Sequence, residues 1–103
     1  MRRIELSEQA EKRLSEIIDY YLSNESVERT QKVLHSFETS FHKIAENPFV
    51  FRKYFSTEFI NLDIRICPHF NTYHIYFIVY DDSIRIAEIF HLKQSDEKLM
   101  LGL

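Results

Sequence analysis

The strongest constraint on this chain is a pair of apolar runs near its C-terminal end. Tyr73-His74-Ile75-Tyr76-Phe77-Ile78-Val79-Tyr80 is rich in β-branched and aromatic residues and, His74 apart, apolar at odd and even positions alike. That composition suits a strand, and apolarity on both faces suits a strand in the middle of a sheet. Asp81-Asp82-Ser83 supplies a tight turn, and Ile84 to Leu92 resumes the strand pattern. The spacing predicts a β-hairpin from Tyr73 to Lys93. Such a hairpin needs apolar surface laid against it, and the first half of the chain offers two amphipathic helices.

Ser7 is placed to cap the first helix, with Glu8 and Glu11 in the first turn, where the helix dipole favours negative charge. Ala10, Leu14, Ile17, Ile18, Tyr21 and Leu22 follow helical spacing and predict a helix over residues 7–23. Asn24 and Ser26 give a turn and a second cap. Val27, Thr30, Leu34, Phe37, Phe41, Ile44 and Ala45 then define a helix over residues 26–46, which Asn47-Pro48 stops. The short connection favours an antiparallel helical hairpin. Ahead of it, Arg3-Ile4-Glu5-Leu6 alternates as a short strand does, and after it Leu62, Ile64 and Ile66 alternate with Asp63, Arg65 and Cys67. Residues 49–59 are aromatic and basic, and read as an ordered loop or a short extra strand. The predicted order is β-α-α-β-β-β. It describes one α+β domain over residues 1–103, a helical hairpin packed on an antiparallel, partly mixed sheet in which the first strand must also pair.

Composition removes several function classes. No apolar run is long enough to span a bilayer, and Met1-Arg2-Arg3-Ile4-Glu5 has no signal-peptide core, so a cytoplasmic protein without membrane contact is expected. Cys67 is the only cysteine, which rules out an intrachain disulfide and a Cys-rich zinc site and reads as small core filler. Gly102 is the only glycine, so no Gly-rich loop cradles a phosphate. His35 and His42 fall just off the apolar stripe of the second helix, His69 sits beside Pro68 in a turn, and His74 has a structural place in the central strand. None has metal-ligand spacing, and neither metal nor cofactor is expected. The net charge of −3 argues against binding DNA or RNA through phosphate neutralisation, and no direct sequence-specific DNA binding by this chain alone is expected.

Two kinds of chemistry survive. RNA cleavage by a 2′-hydroxyl needs a base, cations on the scissile phosphate and an acid for the leaving oxygen. Strict alternation puts Arg85, Ala87, Ile89 and His91 on one face of the last strand, with Arg65 on a neighbouring strand. His91 or Glu88 would then be the base, and Arg65 and Arg85 the phosphate clamps. Against this, Ala87 and Ile89 make that face greasier than a phosphate site. The other chemistry is protein binding. With nine Phe and six Tyr, the chain has more aromatic surface than a two-helix core plainly needs. Phe49, Phe51, Tyr54, Phe55, Phe59 and Phe70 lie in or beside the irregular segments, and the end Leu99-Met100-Leu101-Gly102-Leu103 is a further apolar patch. Either some of these aromatics are exposed for a partner, or they cap the open end of the sheet. Arg52, Lys53, Tyr54, Phe55, His91 and Lys93 are the partner-binding candidates.

The order and spacing of these pieces resemble the ParE/RelE superfamily of bacterial type II toxins, also labelled plasmid-stabilisation proteins. The likeness rests on Leu6-Ser7-Glu8-Gln9-Ala10 with Leu14, Ile17 and Tyr20-Tyr21, then Pro48 and Arg52, then Asp63-Ile64-Arg65. It continues through Tyr73–Tyr80 and closes on Ile84–Lys93 with Asp96. The ending His91, Lys93, Asp96 is similar to that of the ParE branch. This resemblance implies a toxin that inhibits DNA gyrase by binding it, without cofactor or turnover, and that a cognate antitoxin neutralises. The RelE branch implies instead a ribosome-dependent endoribonuclease that cuts messenger RNA. A third alternative is a non-toxic binding module of the same fold. The chain departs from the family pattern in its acidity and in Phe51, which stands where a Gly often precedes the post-helix Arg.

Overall fold

A computed structural model describes residues 1–92. Strand β1 (Arg3–Leu6) leads into helix α1 (Glu8–Asn24), and helix α2 (Val27–Glu46) returns antiparallel to the sheet's far end. A 3₁₀ turn (Pro48–Val50), a two-residue strand β2 (Arg52–Lys53) and a second 3₁₀ turn (Thr57–Phe59) follow. Strands β3 (Ile64–His69), β4 (Tyr73–Val79) and β5 (Ser83–His91) complete a five-stranded sheet of order β1-β5-β4-β3-β2. The β1–β5 pair is parallel and the others antiparallel, so the α+β class and the mixed sheet expected from the sequence are both present. No helix among the described residues is long and apolar enough to cross a membrane. Lys93, Asp96 and the apolar Leu99–Leu103 end lie outside the described residues.

Local signals place the elements where the sequence puts them. Ser7 and Ser26 cap the helices, their hydroxyls accepting from the Ala10 and Arg29 amides at 3.0 Å each. Ser7 does more than cap. Its amide donates to the Ile86 carbonyl (2.9 Å) and its hydroxyl to that of Ala87 (2.8 Å), which fastens β1, α1 and β5 at one point. The buried stripe of α2 is Thr30, Val33, Phe37, Ile44 and Ala45, whereas Val27 and Leu34, which fit the helical spacing, are exposed. Val33 and Phe37 are four apart and face β3 and β4, and that tertiary demand rotates the stripe.

The helices cover one face of the sheet. Cys67, Ile75, Phe77, Ile84, Ile86 and Ile89 point into that core, joined by Phe51. Ile64, Ile66, Tyr76, Ile78, Ala87 and Phe90 form a second buried cluster on the opposite face, against Tyr54, Phe59 and Leu62. Sheet alternation is broken once. Tyr76 pairs with Glu88 but Phe77 pairs with Ile86, so Ala87 is an extra residue in β5. The bulge inverts the faces beyond it. Arg85 pairs with Ile78 on the open face, whereas Ile89 and His91 pair with Ile75 and Tyr73 on the helix face. The single face predicted to hold Arg85, Ala87, Ile89 and His91 therefore does not form, because the inserted residue shifts the two-residue period by one.

A second correction concerns His69. It is not a turn residue but the buried last residue of β3, paired with Tyr73. The turn begins at Phe70 and Asn71, both with φ of 53°, closed by the Thr72 amide on the His69 carbonyl (3.0 Å). Asn tolerates this left-handed region; for Phe it costs roughly 1–2 kcal/mol.

Candidate functional site

The segment between α2 and β3 exposes the largest apolar side chains. Phe55 is 84% exposed and Ile60 77%, while Phe51 packs edge-on against Phe77, and Tyr54 edge-on against Tyr76. The aromatic surplus is thus divided: Phe51, Tyr54 and Phe59 close the sheet, and Phe49, Phe55 and Phe70 face solvent. The Tyr54 amide donates to the Ile64 carbonyl at 2.8 Å, which anchors this segment on the sheet edge. A cleft of about 290 Å³ opens there, its wall formed by Lys53, Tyr54, Phe55, Phe59, Ile60 and Leu62. Arg52, Lys53, Tyr54 and Phe55 therefore form one contiguous surface that is apolar with a basic edge, at the end of the sheet order where only β2 protects β3.

The four residues considered for RNA cleavage fall in separate surroundings. Arg65 is committed: its Nε and Nη2 bond Asp63 at 3.0 and 3.4 Å, and its Nη1 donates to the carbonyls of Phe51 (2.9 Å) and Phe49 (3.3 Å). Its guanidinium also lies 5.0 Å from the Phe49 ring, as does that of Arg2. Arg65 is a brace that ties the post-helix turn to β3. Arg85 is on the face away from the helices. Glu88 is fully buried, its Oε1 accepting from Arg13 Nε (3.2 Å) and from the Ile89 amide (3.0 Å). Its Oε2 is buried with no hydrogen-bond partner among the described residues.

His91 stands at a cleft of about 210 Å³, with Arg13, Glu16, Tyr20, Tyr73 and Ile89. Its ring meets Tyr73 edge-on at 5.3 Å. Arg13 and Glu16 have no apolar signal in the sequence; the spacing of three and four that joins them to Tyr20 along α1 is what puts the three on one side of the helix, beside the end of β5. The Arg13 guanidinium reaches both Glu88 and, at 3.5 Å, Glu16, so its charge is already matched by two carboxylates. A phosphodiester entering here would meet no surplus cation from Arg13.

A third constellation was invisible in the sequence. The His69 ring stacks on Phe37 at 4.2 Å, with Ser36 Oγ 3.1 Å from its Nε2 and Ser40 Oγ 2.8 Å from its Nδ1. Ser36 spends its own proton on the Val33 carbonyl (2.5 Å), so it must accept from Nε2–H, which leaves Nδ1 to accept from Ser40. The network assigns a neutral ring of one tautomer, and burial holds its pKa below the ordinary histidine value. Beside it the Tyr73 hydroxyl is held above its ordinary value by burial first and by Tyr21 second. Burial also pushes the Cys67 thiol up to about 11, as suits a packed thiol with no catalytic partner. His35 and His42 lie on the helix surface as expected, His42 with Glu46 at 2.6 Å. Among the described residues no group of three or more His, Cys, Asp or Glu converges on a point where a metal ion would sit.

Two helices packed on one face of a mixed five-stranded sheet are the fold that the resemblance implied. No curated protein matches the chain. A family model does match it, over residues 4–95, and the chain therefore belongs to the family described as the ParE toxin of type II toxin-antitoxin system, parDE.

Proposed function

We propose that the chain arrests growth by binding a protein target in the cytoplasm, DNA gyrase, without turnover and without a cofactor, and that a cognate antitoxin neutralises it. The observation that carries this reading is the contiguous Arg52-Lys53-Tyr54-Phe55 surface with its adjoining cleft, where Phe55 stands 84% exposed. An exposed aromatic on a braced segment, edged by a cation, has the composition of a binding hot spot. His91 belongs to a different cleft, with two strands between β5 and β2, and Lys93 remains a sequence candidate. The dispersal of Arg65, Arg85, Glu88 and His91 weighs against the RelE-like alternative, a ribosome-dependent endoribonuclease. So do the commitment of Arg65 to Asp63 and the matched charge of Arg13. A non-toxic binding module is decided by the same experiment.

That experiment is tightly controlled expression in a bacterial host, with DNA synthesis, translation and plasmid supercoiling followed separately. The expected result is early loss of supercoiling and DNA synthesis with messages intact, abolished by Phe55→Asp at unchanged folding. Early translational arrest with cut messages overturns the gyrase reading in favour of the nuclease. Growth without defect, with soluble folded protein present, overturns toxicity altogether.

A further inference from the structure

The face of the molecule opposite the Phe55 segment's end of β3 holds a second recess. It lies where the start of α2 meets the β3–β4 turn and has a volume of about 320 Å³. The floor is apolar: Val33, Phe37 and Tyr73. Arg29 and Lys32 line it, with no carboxylate among the described residues. Phe70, 71% exposed and held at a φ of 53°, stands at its edge. A volume of this order has room for one large side chain.

The recess is built rather than incidental. The His69 ring, stacked on Phe37 and bonded to Ser36 and Ser40, fixes α2 against the end of β3 and so fixes the floor. The Arg29 guanidinium lies 6.0 Å from the Tyr21 ring, which aims it along the helix junction. Among the described residues both cations have long, exposed ion pairs, Arg29 with Glu25 at 3.9 Å and Lys32 with Glu28 at 3.7 Å. Pairs of that kind are worth little and exchange readily for a better-placed carboxylate. Phe70 adopts a backbone conformation that its side chain disfavours while leaving most of its ring in water. Both features are disadvantages to the isolated chain, and such outliers cluster where a ligand is clamped.

We infer that this recess is an anchor pocket for a segment of the antitoxin that places an aromatic or large aliphatic side chain on Val33, Phe37 and Tyr73 and an adjacent Asp or Glu against Arg29 and Lys32. The inference rests on the toxin–antitoxin reading and adds the chemistry and the place of the contact: an acidic-apolar peptide, on a surface distinct from the Arg52–Phe55 segment. The two surfaces lie at different parts of the sheet, so the target and the antitoxin engage separate residues.

Two measurements test it. In the first, isotope-labelled full-length chain is titrated with 3-phenylpropanoate and, separately, with its uncharged amide, following the resonances of Phe70, Thr72 and Tyr73. Saturable shifts with the carboxylate, about fivefold weaker binding of the amide, and loss of that difference in R29Q/K32Q are expected. Absent shifts, or equal binding of both probes, overturn the pocket. In the second, the product of the reading frame adjacent to this gene is titrated into the unaltered chain and into R29E/K32E, whose folding is checked by circular dichroism. A loss of affinity of about tenfold or more is expected, since charge reversal leaves the partner carboxylate facing like charge. Equal affinity for both forms overturns this inference and leaves the toxin–antitoxin reading standing. Failure of the unaltered chain to bind overturns that reading, and this inference with it.

Discussion

Removing the Arg13 side-chain charge will expose how the end of β5 is held. Glu88 is 0% exposed, and its carboxylate has two donors, Arg13 Nε at 3.2 Å and its own neighbour's Ile89 amide at 3.0 Å, both on Oε1. Arg13→Met keeps most of the aliphatic stem and deletes the only cation that meets Glu88 among the described residues. Breaking a buried pair by removing one partner costs about 3–5 kcal/mol. The Arg13 side chain is 29% exposed, so water screens part of the site and the cost falls below that range, to about 2–3 kcal/mol. For a domain of this size that corresponds to a fall in Tm of roughly 10–20 °C. Replacing both partners, Arg13→Met with Glu88→Met, removes the stranded charge and is expected to recover all but about 1 kcal/mol. The assay is equilibrium urea unfolding of the wild type, both single variants and the double variant, with thermal melts as a check. A cost below about 1 kcal/mol for Arg13→Met, or single-variant effects that simply add in the double, refutes the reasoning. Either result would mean that Glu88 does not depend on Arg13.

Three further predictions follow from the same core. Phe37→Ala removes a fully buried ring that contacts Phe41, His69 and Tyr73, and is expected to cost about 3–5 kcal/mol in urea unfolding. His69 is held neutral in the folded chain, with its pKa lowered by burial, while the unfolded chain takes up a proton near the ordinary value of about 6.5. Its contribution to stability is therefore complete above that pH and is lost as pH falls from about 6.5 through the lowered folded value. The Tm difference between the wild type and His69→Gln should narrow between pH 8 and pH 5, and a constant difference would show that His69 titrates alike in both states. The Cys67 thiol, buried and pushed up to about 11, is expected to resist a thiol reagent at pH 8 in native protein and to react fully in denaturant. Rapid native reaction at a rate independent of denaturant would contradict its burial.

How far these features could be read from the residues depends on the range of the interaction that sets them. Helix ends were legible because Ser7, Ser26 and Asn47-Pro48 act on their own turns. The β4–β5 hairpin was legible because both strands carry the pattern and Asp81-Asp82 supplies the turn between them. The parallel pairing of β1 with β5 was not, since its partners lie about as far apart as the chain allows. Only the need of a lone strand for a neighbour foretold that it would pair. Nor was the His69 clasp, because Ser36 and Ser40 become its partners only when α2 crosses the end of β3.

The face assignment in β5 failed for a more instructive reason, and the residues carried a hint of it. Strict alternation from Ile84 places Glu88 between Ile86 and Phe90, a carboxylate in line with the helix-facing core. A charge in that position conflicts with burial unless the register changes. The bulge at Ala87 resolves the conflict: Ile89 follows Ile84 and Ile86 into the helix-side core, Phe90 joins Ala87 on the other face, and Glu88 finds Arg13. The same inserted residue carries His91 to the helix side and leaves Arg85 on the other. A general base and a phosphate clamp that start on one face of an ideal strand end on opposite faces of this one. The single β-bulge that makes the core self-consistent is therefore also what separates the residues a phosphate-cutting site would have needed together.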